Sequence, residues 1–407
     1  MICRLGAITA VPLLVAACAT NFGASEGVTS AFTEQEKPGA VGQPKKPVRI
    51  GLLLPLSGYG SHTVTAKGLK QAAELALLDL NNPLVQLIVK DDKGTPQGAS
   101  QAAQEAIGEG AEIIVGPITG EGAKSAAAVA RGSKVPVLSF SNDRNAAGDG
   151  VYLMGVLPEQ EVERIVAFAA GRGKRRFAAL VPDDGYGRVV ASPFKEAVAR
   201  NGGAVAAVTS FPLEANAMLE AVQPLAGEVQ QSGDSTTPID VLLVAAGETA
   251  LPQLDPILTY AGIRSDRLQL IGTGAWDFPS AGRSPVFVGG WYPGPDPHGW
   301  TDFVQRFSRA FGQVPPRLAS LSYDAVSIAI TLSSAEPGQR FTAAALTRPA
   351  GFTGVDGALR FRADGISERS LAVLELQTFG GNVLEPAQPQ EAPAERSSFG
   401  GMRLPWQ

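Results

Sequence analysis

The feature that most constrains this chain is an alternation, run through twice, between short unbroken apolar stretches and longer segments of helical period. Val48-Arg49-Ile50-Gly51-Leu52-Leu53-Leu54 leads to a helix predicted from about Thr65 to Leu80, a run from Leu84 to Lys90, a helix near Gln97 to Ile107, and Ile113-Ile114-Val115. A helix near Gly122 to Arg131 and the run from Val135 to Ser139 follow. Strands that read as continuous apolar runs are buried on both faces, and helices between them make the strands parallel. After Pro158 the pattern restarts, with runs at Phe177 to Val181, Ala204 to Val208, Val241 to Val244 and Leu268 to Ile271 separated by helical segments. Two windings predict two α/β lobes, each a parallel sheet with helices on both faces. A helical pair from Thr301 to about Ser334 and a closing β segment from Leu371 to Leu376 carry the chain beyond two completed lobes.

The ends differ from this body. Arg4 precedes an apolar run from Leu5 to Leu14 that closes in small residues, the form of a signal peptide. Such a helix reaches only about 20 Å, short of the roughly 30 Å hydrocarbon core, so it reads as a segment to be removed rather than a span. From Asn21 to about Lys46 the chain is rich in Gly, Ser, Thr, Gln, Glu and Pro, and reads as a flexible tether; a second low-complexity tail is expected towards Gln407. The expected division is therefore a signal at residues 1–17, a tether at 18–46, lobe one at 47–157 plus 288–335, lobe two at 158–287 plus 336–380, and a tail at 381–407.

Chemistry is sparse. The only cysteines, Cys3 and Cys18, lie in or beside the signal, and the only histidines are His62 and His298, neither at metal-ligand spacing. Gly120-Glu121-Gly122-Ala123-Lys124-Ser125 lacks the glycine that a phosphate loop needs before its lysine, and no Gly-x-Ser-x-Gly elbow exists. The formal charge of −5 is dispersed, with no basic stripe for nucleic acid. No enzyme, cofactor or metal site is predicted.

The turns after the strands carry what a ligand cleft needs, because ligands bind beyond the carboxyl ends of parallel strands. The candidates are Ser57 and Tyr59, Thr119 and Gly120, Ser139, Ser141, Asn142 and Asp143, Tyr186, Glu248, and Thr273 with Trp276. Asp143 either faces the cleft or caps its own loop, and Trp276 is either a pocket aromatic or core.

Ile50-Gly51-Leu52-Leu53-Leu54-Pro55-Leu56-Ser57-Gly58, Ile114-Val115-Gly116-Pro117, Asp184-Gly185-Tyr186-Gly187 and Tyr323-Asp324-Ala325-Val326 resemble the type I periplasmic binding proteins of the leucine-binding kind, over about Val48 to Phe379. The resemblance implies a Venus-flytrap fold with three hinge crossovers and a small polar ligand such as an amino acid. Its hydroxyls would hold a carboxylate at Thr119, Ser139 and Ser141, Tyr186 would flank the ligand, and an acid in lobe two, near Asp277 or Glu248, would meet an ammonium. Gly120 and Asp143 depart from that pattern.

A narrower likeness, in Pro136 to Asp143, Gly150 to Gly155 and Pro158 to Arg164, is to the penicillin-binding protein activators, lipoproteins that regulate peptidoglycan synthesis. This is the favoured functional expectation, with the receptor of an ABC importer as the alternative. The partner would be a penicillin-binding protein in the first case and an ABC permease in the second. Val15-Ala16-Ala17-Cys18 resembles the lipobox of bacterial lipoproteins, which implies a periplasmic protein anchored by lipid on Cys18 to the outer or inner membrane. Replacing Cys18 with Ser is expected to abolish incorporation of labelled fatty acid; persistence of label would rule out this anchor.

Overall fold

The computed structural model describes residues 46–57, 61–232, 238–264 and 268–387. Cys18 and Tyr59 lie outside them. Strand β1 (Val48–Leu54) is central because its aliphatic side chains have cover on both faces. Ile50, Leu52 and Leu54 pack with Ala66, Leu69 and Ala73 of α1 (Ser61–Leu80). Leu53 turns the other way, towards the alanine-rich faces of α2 (Pro96–Gly108) and α3 (Gly120–Ala130). This period-two alternation makes one strand serve two helical layers. With β2 (Val85–Asp91), β3 (Ala111–Val115), β4 (Val137–Ser139) and β5 (Val151–Leu153) it forms a wholly parallel sheet of order β2-β1-β3-β4-β5.

The second lobe repeats the scheme. After α4 (Pro158–Gly171) come β6 (Arg176–Pro182), α5 (Gly185–Arg200), β7 (Ala204–Phe211), α6 (Ala215–Ser232), β8 (Val241–Val244), α7 (Leu251–Tyr260), β9 (Gln269–Gly272) and β10 (Trp291–Gly294). Their order, β7-β6-β8-β9-β10, is the same winding as in lobe one. Helices α8 (Pro297–Phe311) and α9 (Ala319–Leu332) return to lobe one, where Phe303 and Phe307 pack on Ala72 and Leu75 of α1. The short α10 (Ala343–Leu346) leads to a three-stranded antiparallel sheet of β11 (Phe352–Gly354), β12 (Gly357–Phe361) and β13 (Ser367–Arg369). Two antiparallel strands, β14 (Ala372–Leu376) and β15 (Gly381–Glu385), then finish the second sheet beside β10. The chain thus passes between lobes three times, after β5, after β10 and after β13.

The two-lobed α/β fold is as expected, but the expected boundaries differ in three places. Trp291–Gly294, assigned to lobe one, pairs with Ile271 of β9 and with β14 and so belongs to the second sheet. Phe341, Leu346, Phe352, Leu359 and Phe361, assigned to lobe two, are buried in the core around β1. Residues 381–385, assigned to the tail, form an edge strand whose Val383 and Leu384 pack on the lobe-two cores. These stretches are too short, or too interrupted by Gly and Pro, for their period to reveal which core they meet. Removing β15 exposes the ladder of β14 and breaks the 2.8 Å pair between Arg164 and Glu385. A chain ending at Gly380 is expected to be about 2–4 kcal/mol less stable than one ending at Ala387 by urea unfolding, and equal midpoints would refute a structural role for β15.

Candidate ligand cleft

In both sheets the strand order reverses beside the first strand, between β1 and β3 in lobe one and between β6 and β8 in lobe two. Loops diverge at such points, and a crevice opens at the carboxyl ends of the strands. Here the two crevices face each other across a cavity of about 350 Å³. Ile118, Phe140 and Asn142 line it from lobe one, Glu161, Tyr186 and Asp277 from lobe two. Arg317, Leu321 and Asp356 close it from the returning segments, and Arg369 and Leu371 from the third crossover. Gly116 lets the loop after β3 turn back: its φ is +92°, and a Cβ there would strike the Leu53 carbonyl.

Of the residues singled out in the sequence, Asn142, Tyr186 and Asp277 line this cavity. Ser139 and Ser141 are buried and staple the lobe-one loops instead. The Ser139 hydroxyl donates to the Pro117 carbonyl at 2.9 Å and accepts from the Ser141 amide, and the Ser141 hydroxyl accepts from the Asp143 amide at 3.0 Å. Asp143 caps the 3-10 turn at Arg144–Ala146 through the Asn145 amide, which answers the choice left open for it. Gly120 fits against it, since a Cβ at 120 would lie 2.6 Å from Asp143 Oδ2. Thr119 is exposed and caps α3 through the Gly122 amide. Thr273 is buried, and its hydroxyl meets the Tyr186 hydroxyl at 2.7 Å, fixing that ring at the cavity wall. Trp276 is core: its indole donates to the Val244 carbonyl at 3.0 Å and packs edge-on against Phe287. Glu248 and Ser57 are exposed and away from the cavity lining.

The charged groups that do face the cavity were largely missed. Arg317 spans the lobes: its Nε donates to Asp277 Oδ2 at 2.7 Å, while its two Nη atoms donate to the Asp356 carboxylate at 2.8 and 3.2 Å. Ser320 donates to Asp356 at 2.7 Å, and the guanidinium stacks over Trp300 at 4.5 Å. Behind this lies a second pair, in which Arg369 Nη1 stands 3.8 Å from Asp324 Oδ2, both side chains 1% exposed. Asp324 accepts from the Val355 amide at 2.7 Å, and Arg369 donates to the Met154 carbonyl at 3.2 Å. Burial acts to raise the carboxyl of Asp356, but Arg317, Arg369 and Ser320 prevail and hold it below the usual range. Burial instead pushes Asp324 up to about 7.

Glu161 sits in the first turn of α4 and accepts from the Gly274 amide at 3.1 Å. The absence of a Cβ at Gly274 is what admits the carboxylate so close to that backbone. Burial, with Asp277 and Glu159 nearby, pushes Glu161 up to about 8 against the pull of that one amide. A Pro-Glu-Gln-Glu helix start reads in the sequence as dipole-matched surface acid, and nothing local distinguishes Glu161 from Glu159.

Two α/β lobes flanking a cavity at opposed switch points define a two-lobed binding-protein fold. The chain belongs to the periplasmic binding protein family, whose profile matches residues 47–382. Among solved structures, the chain is similar to a solute binding protein of an ABC transporter from R. palustris in complex with benzoate, at 17% identity and TM-score 0.65, over 85% of this chain and 98% of that one. It is similar to a leucine binding protein from Thermotoga maritima, at 17% identity and TM-score 0.64 over 84% and 99%. It is also similar to a leucine-, isoleucine-, valine-, threonine- and alanine-binding protein from Brucella ovis in a closed conformation, at 16% identity and TM-score 0.68 over 85% and 98%. A curated relative, the uncharacterized protein RP748 of Rickettsia prowazekii, is 19% identical over 198 residues, and the match spans 48% of this chain and about half of that protein, 52%.

The state of Glu161 has a measurable consequence. Unfolded, it ionises near 4.5; folded, it keeps its proton to about 8, so between these values the native state binds the extra proton. Asp324 acts in the same sense up to about 7. Stability of the unliganded protein is therefore expected to fall as pH rises from 5 to 8, and Glu161→Gln to flatten that slope. Urea midpoints across the range check this, and an unchanged slope in the variant would refute it.

Proposed function

We propose that this protein is an extracytoplasmic solute receptor that closes its lobes on a small molecule and presents it to an ABC permease. The observation that carries the reading is the cavity lined from both lobes and spanned by Arg317, which touches Asp356 on one side and Asp277 on the other. A contact of that kind forms and breaks as lobes close and open, so occupancy and conformation are linked.

The neighbours in structure are solute-binding proteins of ABC transporters, which supports the receptor over the penicillin-binding protein activator favoured from sequence. Within Pro136 to Asp143, one of the three stretches behind the activator likeness, Ser139, Ser141 and Asp143 act in stapling lobe-one loops. No catalysis is proposed. Lipid on Cys18 would hold the receptor near its permease, with the tether at residues 18–46 reaching about 30 Å by random-chain scaling.

The test is a solute panel on the purified mature protein, read by thermal unfolding and small-angle scattering. At 100 times its dissociation constant a true ligand is expected to add about 2.7 kcal/mol of stability. It is also expected to shrink the radius of gyration. Arg317→Ala should leave a larger radius in the bound state. If no solute stabilises the protein and its radius never changes, the receptor reading falls.

A further inference from the structure

We infer that the third crossover carries a second site, separate from the cleft, for a small oxyanion that still holds a proton, of the hydrogen phosphate kind. It lies in a cavity of about 560 Å³ between α4 and the crossover. Gln160, Glu163, Arg164 and Ala167 of α4 form one wall, since positions three and four apart share a helix face. Glu368, Arg369 and Leu371 form the other. Arg369 and Leu371 also line the cleft, so the crossover strand stands between two separate spaces.

Unmet hydrogen bonding marks this cavity. Among the described residues seven buried side-chain polar atoms have no hydrogen-bond partner, and five of them belong to residues of this lining: Glu159 Oε2, Gln160 Oε1, Arg164 Nη2 and both Nη atoms of Arg369. Buried polar groups are nearly always paired, so such a concentration points to a ligand. The other end of each side chain is fixed. Gln160 donates through Nε2 to the Ser367 carbonyl at 2.8 Å, which leaves its oxygen as the unused end. Arg164 donates through Nε to the Leu371 carbonyl at 2.9 Å and pairs through Nη1 with Glu385 at 2.8 Å. Arg369 donates through Nε to the Met154 carbonyl at 3.2 Å.

The charges select an anion. Glu159, Glu163 and Glu368 are each paired with an arginine of their own, Arg144, Arg200 and Arg360. Arg369 is the exception. Its side chain is 1% exposed, and the carboxylate facing it, Asp324 Oδ2, stands at 3.8 Å, beyond hydrogen-bond reach. Asp356 is committed to Arg317, and burial keeps a proton on Asp324 up to about 7, so in mild acid Asp324 does not neutralise the guanidinium. Three nitrogens that can donate and two oxygens that can accept describe a ligand that does both. An oxyanion takes hydrogen bonds from Arg164 and Arg369, whose tips turn onto it, and gives its own O–H to Gln160 or Glu159. Hydrogen phosphate has that O–H; sulfate, of similar size and shape, has none.

The experiment titrates the purified mature protein at pH 6 by calorimetry with inorganic phosphate, glycerol phosphate and sulfate. One of the two phosphates is expected to bind, and the tighter one tells a free ion from an esterified one. Sulfate should be about tenfold weaker or more, the worth of one hydrogen bond to a charged group. Glu159→Gln combined with Gln160→Leu removes the carboxylate and the amide oxygen, and should bring sulfate to within about threefold of phosphate, a change of ratio that lost stability alone does not produce. Arg164→Lys, which keeps the charge and loses Nη2, should weaken phosphate about fivefold. Urea unfolding checks that each variant is folded. Sulfate bound as tightly as phosphate, no binding of either phosphate, or an unchanged ratio in the double variant would each overturn the inference. Phosphate affinity lost in Arg317→Gln and kept in Arg164→Lys would put the ion in the cleft, overturning this site while the receptor reading stands.

Discussion

One cation, Arg317, reaches from one lobe to the other across the cleft. Arg317 comes from the turn before α9, Asp356 from the β11–β12 hairpin of the same lobe, and Asp277 from the loop after β9 in the other. Asp356 and Ser320 hold the guanidinium from lobe one, and Asp277 adds the contact from lobe two. Stacking over Trp300 supports the same orientation from α8. An arginine suits this place because its planar fork binds a carboxylate in bidentate fashion while Nε remains for a third partner. Lysine, a point charge, could not set two carboxylates at fixed angles.

Beneath that bridge, the fold follows from burial alone, and burial is what a sequence displays most plainly. The runs at Val48 to Leu54 and Phe177 to Val181 can only be central strands, and the alanines of α2 and α3 mark helices lying close on a sheet. That reasoning reaches the two windings and the cleft between them. It stops at β10, β11 to β13 and β15, where three to five residues carry too little period to say which sheet they join. Membership there is fixed by long-range pairing, as when Trp291 meets both Ile271 and Glu375.

The candidate site was legible in its location and not in its chemistry. Loops after strands do line the cavity, yet most of the polar residues in them satisfy their own backbone: Thr119, Asp143 and Thr273 all cap turns. Hydroxyls and short acids are chosen at such positions because amides at helix starts need acceptors, so their presence signals a turn before it signals a ligand. The residues that face the cavity come from segments far apart in the chain, Glu161, Asp277, Arg317 and Asp356, and only the three crossovers bring them together. Arg317 behind two prolines reads locally as a helix entrance, and Asp356 as a hairpin turn.

What separates Glu161 from these is that nothing in the fold needs it. Asp356 is ionised because Arg317 and Ser320 are built around it, and removing it would strand a buried cation. Glu161 is held by one amide in a setting that favours its neutral form, so the empty protein is less stable for having it above acid pH. A glutamine would make the same amide contact without that cost. Gly274 adds a second concession, a residue with no side chain at the one point where the carboxylate must approach the backbone. Two local rules relaxed at one place, a buried acid without a cation and a glycine to admit it, are the mark of a position kept for something other than folding.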